Sequence, residues 1–307
     1  MFRVRRLALR TSLIVLVLAS GAFAWKTRVE AHKMVTNARE TRRVPTTTPA
    51  SRQLPFEDVK VTTSDGLNLN GWFIPSTGGR ATVLLVHGYK DQRGSMLGVA
   101  EILHRHGYSV MVASLRGHDV NDGELISFGL FEVRDLEAWY QHLRGRADVD
   151  PRAIGLFGVS MGGTIGLRYA SQNPEMRVVI ADCAFSSVMD TAATSIRHFT
   201  GLPPFPFAPA IVFWSERQFG GDADELDATR WIPLIAPRPV FLLQGGADTV
   251  VSAESGRKLF AAAGEPKELW YEPGVGHAQF LKTMPAAFEA RVVRFLDRYL
   301  RQEGMKQ

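Results

Sequence analysis

Short apolar segments alternate with longer amphipathic segments through most of this 307-residue chain. Residues 81–86 are the clearest example, a run in which only Thr82 is polar. A strand without a polar face must be covered on both sides, which is typical of parallel sheets in chains that alternate strands and helices. The sequence therefore predicts an α/β fold with a mostly parallel central sheet and helices on both faces.

The same periodicities predict the individual elements. Residues 56–63 and 67–74 alternate around Ser64-Asp65-Gly66, which indicates a β-hairpin. Further strands are expected at residues 81–86, 108–114, 153–157, 178–181, 239–243 and 268–271. Helices are expected at residues 94–106, 128–143, 161–171, 253–263 and 285–301.

The segment 186–237 breaks this alternation. Residues 200–209 are apolar yet rich in proline, which a central strand does not tolerate. We expect an insertion of short helices and turns over one edge of the sheet. Its aromatic residues have two open interpretations, because they could line an acyl pocket or pack onto the sheet; they are Phe199, Phe205, Phe207, Phe213 and Trp214.

The basic residues are concentrated at the start of the chain. Residues 1–43 contain ten Lys and Arg against two acids, a net charge of +8, whereas the whole chain carries only +5. The remaining residues therefore carry −3. A basic tail that flanks an apolar segment indicates a membrane as partner and argues against nucleic acid.

Residues 7–25 form that apolar segment, and besides an amphipathic or disordered tail they have two interpretations that involve export. An uncleaved single-pass anchor needs ~20 apolar residues, and it would leave residues 1–10 cytoplasmic and the following domain outside the cytoplasm. The alternative is an exported chain, cleaved near Ala24 after the small-residue pattern Ala22-Phe23-Ala24. We expect residues 26–53 to form a stalk or linker and residues 54–302 to form a folded domain.

A five-residue motif, Gly158-Val159-Ser160-Met161-Gly162, lies between a predicted strand and a predicted helix. That context holds a serine hydroxyl out on a tight turn, which makes Ser160 the candidate nucleophile. The N–H of Met161 would lie at a helix N-terminus, where backbone donors and the helix dipole favour an anion. Met161 is therefore a candidate oxyanion-hole donor.

A serine nucleophile needs a base, and the base needs an orienting acid. Asp248 and His277 each follow a predicted strand, in the order Ser, acid, His. Because the carboxyl ends of parallel strands meet at one edge, we expect both side chains to lie near Ser160. The N–H of Tyr89, after the strand at 81–86, is the second candidate oxyanion donor.

These motifs, with Leu115-Arg116-Gly117-His118 and Ala236-Pro237-Arg238-Pro239-Val240, resemble the α/β-hydrolase superfamily over about residues 56–302. The chain is similar to the branch that includes serine aminopeptidase-like and prolyl-oligopeptidase-like hydrolases and several membrane-tethered lipid hydrolases. One difference is Asp119, where relatives often carry glycine. The sequence therefore does not predict the backbone path of the loop that contains Arg116-Gly117-His118.

The combined pattern predicts a serine hydrolase that cleaves an ester of a small or lipid-like acid through an acyl-enzyme. Two alternatives remain open: a serine peptidase of the same fold and a non-catalytic binding protein on a hydrolase scaffold. No nucleotide-binding glycine motif occurs, and His104 and His106 alone do not make a metal site, so no cofactor or metal is expected. The single cysteine, Cys183, excludes an intrachain disulfide. The oligomeric state is not predicted.

Overall fold

The computed structural model describes residues 2–79 and 81–301. Met1, the first residue of the predicted N-terminal segment, and Gln302, the last residue of the predicted domain, lie outside the described residues. The described residues form eight strands: Glu57–Thr62 (β1), Asn68–Ile74 (β2), Thr82–Val86 (β3), Ser109–Ala113 (β4), Ile154–Val159 (β5), Val178–Asp182 (β6), Val240–Gly245 (β7) and Lys267–Glu272 (β8).

The α-helices of the described residues are Phe2–Val35 (α1), Leu97–Arg105 (α2), Glu132–Arg144 (α3), Met161–Gln172 (α4), Val188–Thr200 (α5), Pro204–Phe219 (α6), Ala228–Trp231 (α7), Glu254–Ala262 (α8), Phe280–Thr283 (α9) and Pro285–Leu296 (α10). Single turns of tighter or wider helix occur at Arg39–Thr41, Pro49–Arg52, Arg93–Met96, Ala223–Leu226, Ile232–Ile235 and Asp297–Arg301.

The strands form one sheet in the order β1-β2-β4-β3-β5-β6-β7-β8. β1 and β2 form the expected antiparallel hairpin, and β2 pairs antiparallel with β4. The pairs from β4 through β3 to β8 are all parallel. The predicted fold class is therefore confirmed, with α3 and α4 packed on one face and α2 and α10 on the other.

The apolar run at β3 explains why both faces are covered. Leu84 and Val86 belong to the apolar cluster of one face, whereas Val83 and Leu85 belong to the cluster of the other. All four side chains are fully buried, as the alternation of side chains along a strand requires when helices cover both faces.

The segment 186–237 contains longer helices than its composition suggested. α5 and α6, here called the cap helices, have 13 and 16 residues and follow the carboxyl end of β6. They therefore lie over the edge of the sheet at which the parallel strands end. The helical conformation of α6 is interrupted at Phe205, and Pro209 lies within it.

Helix α1 runs without a break through residue 25, where the sequence suggested a boundary, and ends at Val35. Its N-terminal part is exposed, long and apolar enough to cross a membrane, a test that a signal sequence passes equally well. Its last turns lie on the domain, with Thr27, Ala31 and Val35 fully buried. The structure thus differs from a free stalk, because residues four apart on α1 form a face that packs on α6.

The residues after α1 are also held by the domain. Asn37 donates from its backbone and its side chain to carbonyls of the loop 115–126, at 2.8 and 2.9 Å. The buried guanidinium of Arg42 donates to the carbonyls of Asn37, Asn121 and Gly123. Because carbonyls in buried surroundings need a donor, Arg42 satisfies backbone groups that water does not reach.

Replacing Arg42 by Met keeps an apolar stem and removes the donors of three carbonyls. Hydrogen bonds from charged donors contribute ~1.5–3 kcal/mol each, and they are not additive. We expect Arg42→Met to lower the free energy of unfolding by roughly 2–4 kcal/mol, which lowers Tm in detergent by roughly 5–10 °C. Arg43→Met, at the exposed neighbouring residue, is the control and should change stability by no more than ~0.5 kcal/mol. Equal Tm values for the two variants would contradict the anchoring role.

Candidate active site

Ser160 occupies the turn between β5 and α4, with φ 53° and ψ −120°. Its N–H donates to the carbonyl of Asp182 at 2.7 Å, which ties the turn to β6. A Cβ on Gly158 would collide with the backbone of Gly162, and one on Gly162 with the backbone of His87. The two glycines are therefore required by close backbone packing around a strained serine.

The structure brings Ser160, Asp248 and His277 into one chain of hydrogen bonds. The His277 Nε2 lies 2.9 Å from the Ser160 Oγ, and its Nδ1 lies 2.7 Å from an Asp248 carboxylate oxygen. The other carboxylate oxygen accepts the N–H groups of Val250 and Val251, both at 2.8 Å. A carboxylate held in this way favours a proton on Nδ1, which leaves Nε2 free to accept the hydroxyl proton.

The two candidate oxyanion donors lie beside the serine. Tyr89 and Met161 line the same cavity as Ser160, and within the described residues neither N–H donates to a protein acceptor. A Cβ on Gly88 would lie 3.5 Å from the Ser160 Cβ, so this loop passes directly alongside the serine. The Met161 N–H is the first of α4, where donors have no intrahelical partner. Both positions suit an anion, and their role stays a prediction.

Two buried histidines support the loop that carries Tyr89. The His118 Nε2 accepts the N–H of Lys90 at 3.0 Å, while its Nδ1 lies 2.7 Å from the Arg116 carbonyl. Burial lowers the pKa of both His118 and His87, which keeps the rings neutral and able to accept a backbone N–H. Asp119 has φ 55°, a left-handed backbone conformation that glycine favours. Glycine is the residue that the resembling family often carries at this position.

The cavity at Ser160, here called the active-site cavity, has a volume of about 280 Å³. A narrower side cavity of about 60 Å³ lies between the cap helices and α1, and its lining is mostly apolar. Five residues line both cavities, which makes them neighbours: Met34, Phe128, Phe185, Thr191 and Ser195. Together they form a small site, near the lower end of the ~300–1,000 Å³ of typical ligand pockets.

The aromatic residues of the insertion divide between the two interpretations. Phe199 lines the active-site cavity and contacts the Tyr89 ring, with ring centres 5.8 Å apart. Phe207 and Trp214 pack on the apolar cluster between α1 and α6. Phe213 is exposed on α6, and Phe205 is exposed where that helix begins.

Sequence reasoning missed Met34 and Arg43, which line the active-site cavity. Both lie in the segment predicted to be a linker, whose polar composition hid their role. The signal that could have found Met34 is the spacing of Thr27, Ala31 and Val35, since residues four apart form one face of a helix.

Cys183 lies beside the proposed acid and base. Its sulfur and one ligand atom each of Asp248 and His277 lie within 4.8 Å of one another, a spacing that a metal ion could use. However, burial raises the pKa of the Cys183 thiol, and the protonated form is a poor ligand. Since the His277 Nδ1 and Asp248 already share a hydrogen bond, the geometry favours the Ser-His-Asp chain over a metal site.

Comparisons with known proteins agree with this architecture. A family model described as serine aminopeptidase, S33, matches residues 78–203. An uncharacterized protein of Mycobacterium tuberculosis is 34% identical over 233 residues, which cover 74% of this chain and 75% of the relative. An esterase of Pyrococcus furiosus superposes with a TM-score of 0.74 at 29% identity, covering 87% of this chain and 98% of that chain. The chain belongs to the α/β-hydrolase superfamily.

This α/β hydrolase also has more distant neighbours. An acylaminoacyl peptidase of Pyrococcus horikoshii superposes with a TM-score of 0.64 at 17% identity, over 81% of this chain and 42% of that chain. At that identity the likeness shows the fold alone. The structural neighbours of the hydrolase thus include both esterases and peptidases.

The buried carboxyl of Asp182 predicts a measurable pH effect on stability. Burial raises its pKa to about 6 from an ordinary 3.8, and among the described residues one of its oxygens has no hydrogen-bond partner. As pH rises through this window, the unfolded chain releases the proton before the folded one, so the wild type loses stability. We expect the Tm of Asp182→Asn relative to wild type to rise between pH 4 and 6 and then level off, a change worth roughly 2–3 kcal/mol.

Asp122→Asn is the matched control, because hydrogen bonds from Asn68 lower the pKa of the Asp122 carboxyl. That group stabilises the fold above its unfolded pKa, so its variant should lose Tm relative to wild type as pH rises through the acidic range. A Tm difference for Asp182→Asn that does not change with pH would contradict the raised pKa.

Proposed function

We propose that this α/β hydrolase is a serine hydrolase that cleaves carboxylic esters through an acyl-enzyme, with Ser160 as the nucleophile. The observation that carries the proposal is the hydrogen-bonded chain Ser160–His277–Asp248 beside two N–H groups that have no acceptor among the described residues. The proposal rests on these site residues, since the fold alone hosts many functions.

In the proposed reaction, His277 takes the hydroxyl proton as the Ser160 oxygen bonds to the substrate carbonyl carbon. Asp248 stabilises the imidazolium, and the N–H groups of Tyr89 and Met161 bind the oxyanion. The bond to the alcohol then breaks, and the alcohol leaves with the proton from His277. Water then attacks the acyl-enzyme carbonyl carbon and gives a proton to His277. The bond between that carbon and the Ser160 oxygen breaks, Ser160 takes the proton back, and the acid leaves. Each oxyanion donor is worth ~10²–10³ in rate.

The preference for esters is supported by the likeness to an esterase over 98% of its chain and by the apolar side cavity. A cavity of this size suits a single acyl chain, from a small molecule or a lipid. A serine peptidase of the same fold is the second candidate, favoured by the family model over residues 78–203. A binding protein without catalysis would not need the hydrogen-bonded chain at Ser160.

We also propose a location for the reaction. α1 is an uncleaved anchor, the domain lies outside the cytoplasm, and the substrate is taken at or near the membrane. The exposed apolar part of α1 supports this, and export with cleavage near Ala24 is the alternative.

A fluorophosphonate probe tests the nucleophile, because it phosphonylates activated serines. The folded full-length chain should be labelled at Ser160, and Ser160→Ala should not be labelled. Ser195→Ala is the matched control, since Ser195 lines the same cavity but donates its hydroxyl to the Val250 carbonyl at 2.8 Å. Undiminished labelling of Ser160→Ala would reject the nucleophile, and a folded wild type without any label would reject the hydrolase.

A panel of acyl esters of rising chain length, with matched aminoacyl amides, tests the substrate class. Turnover should be higher for esters, and Ala192→Leu, which fills the side cavity, should lower the ratio of long-chain to short-chain kcat/KM by about tenfold. Ala290→Leu, on the exposed face of α10, should leave that ratio unchanged. Amide turnover equal to or above ester turnover would favour the peptidase, and an unchanged ratio in Ala192→Leu would remove the acyl role of the side cavity.

A further inference from the structure

The C-terminal part of α1 and helix α6 lie side by side. Three side-chain contacts join them: the Phe23 and Phe207 rings at 5.2 Å, the Arg28 guanidinium over the Trp214 ring at 5.8 Å, and the His32 Nδ1 to the Gln218 Oε1 at 3.0 Å. Residue numbers rise together in all three contacts, with a nearly constant offset of 184 to 186 positions. The two helices are therefore parallel, and the N-terminus of α6 points the same way as the apolar part of α1.

This arrangement sets the level of the turn between the cap helices. Residues 201–207, here called the cap tip, have the sequence Gly-Leu-Pro-Pro-Phe-Pro-Phe and contain no charge. Phe207 contacts Phe23, which lies two residues inside the end of the apolar segment at Trp25. Phe207 therefore lies about 3 Å beyond Trp25 along the axis of α1, on the side of the apolar segment. Phe205 precedes Phe207 at the exposed start of α6.

The side chain of Phe205 is 82% exposed, so its own domain does not bury it. Pro203 and Pro206 beside it are also exposed, and a contiguous exposed apolar patch indicates an interaction surface. Basic residues lie just above this level on α1, where Lys26 pairs with Glu30 at 2.8 Å and the exposed Arg28 follows. Aromatic side chains below a basic band are typical of a membrane interface.

We propose that the cap tip inserts into the same lipid leaflet from which α1 emerges. Apolar faces of interfacial helices enter the headgroup and acyl boundary to ~5–10 Å, and a tip that lies level with Phe23 of the apolar segment reaches this boundary. The occupant is lipid, because the tip lies level with a segment that is itself apolar, exposed and long enough to span a bilayer. The insertion goes beyond the proposed ester cleavage and does not depend on it, but it rests on α1 being the anchor.

One consequence concerns the side cavity. Ile211 and Val212 line it, and Ile211 lies one helical turn, about 6 Å, above Phe207 on α6. With the tip in the leaflet, the apolar cavity is held within about two helical turns of the lipid acyl chains. Two contacts with the bilayer, α1 and the tip, also fix the tilt of the domain, which one helix does not.

Fluorescence quenching by lipid tests the insertion in the full-length chain. The single native cysteine, Cys183, is buried, so an introduced cysteine can be labelled selectively with an environment-sensitive fluorophore. Phe205→Cys, Phe213→Cys, Leu18→Cys and Leu234→Cys are labelled separately and reconstituted into nanodiscs of phosphatidylcholine and phosphatidylglycerol with or without doxyl-labelled lipid. Leu18 reports the span, and Phe213 reports a higher level of α6.

Leu234 is the matched control for exposure. It is 64% exposed, but it precedes β7 and lies at the opposite edge of the sheet. We expect quenching at position 205 to approach that at 18, to exceed that at 213 and to be about threefold or more above that at 234.

The possible failures are distinguishable. Quenching at 18 but only background quenching at 205 would overturn the insertion and leave the anchor intact. Background quenching at both positions would overturn the anchor and the insertion together. A blue-shifted emission at 205 without quenching by lipid would indicate a protein partner at the tip and would overturn the proposal.

Discussion

The backbone turn at Ser160 is the constraint on which the rest of the site depends. Its strained conformation with positive φ is held because β5 ends against the loop after β3 on one side and against β6 on the other. Glycine at 158 and 162 lets these backbones approach, and the Asp182 carbonyl accepts the serine N–H. Because β3, β5, β6, β7 and β8 are consecutive neighbours in the sheet, the proposed oxyanion donor, nucleophile, acid and base come from adjoining strand ends.

The polar side chains buried beneath that turn position the residues of the site more than they stabilise the fold. The neutral rings of His87 and His118 hold the loop of Tyr89, and the carboxyl of Asp182 is buried with a raised pKa. A hydrophobic residue at position 182 would avoid the desolvation of a carboxyl. Polar groups that cost stability close to a site are the expected mark of function.

The sheet, and the meeting of Ser160, Asp248 and His277 at one edge of it, were predictable from the sequence because each has a local signal. Apolar runs mark strands buried on both faces, and the order of Ser160, Asp248 and His277 after successive strands brings them to one edge. The cap helix α6 was not predictable in the same way, since its prolines suggested turns. The helical conformation restarts after Phe205, so Pro206 is the first helical residue, where a backbone N–H has no helical acceptor. Pro209 follows three residues later, inside the helix.

The docking of α1 was hidden for a different reason, because its partner α6 lies about 185 residues away in sequence. This contact fixes the position of the proposed anchor relative to the domain. A flexible linker over residues 26–53 would allow an end-to-end distance of roughly 30 Å. The continuous helix instead brings Met34, at the active-site cavity, within about 14 Å of Trp25 along its axis.

The last turn of α1 also reaches the loop of the proposed oxyanion donor. The Tyr89 hydroxyl donates to the Met34 carbonyl at 2.8 Å, and the Lys90 ammonium to the Lys33 carbonyl at 2.6 Å. Cleavage near Ala24 would leave this docked turn in place and preserve the wall of the cavity. If α1 is the proposed anchor, cleavage removes the height that it fixes above the bilayer, so the two interpretations of the N-terminus differ in the substrates that reach Ser160 and not in the site itself.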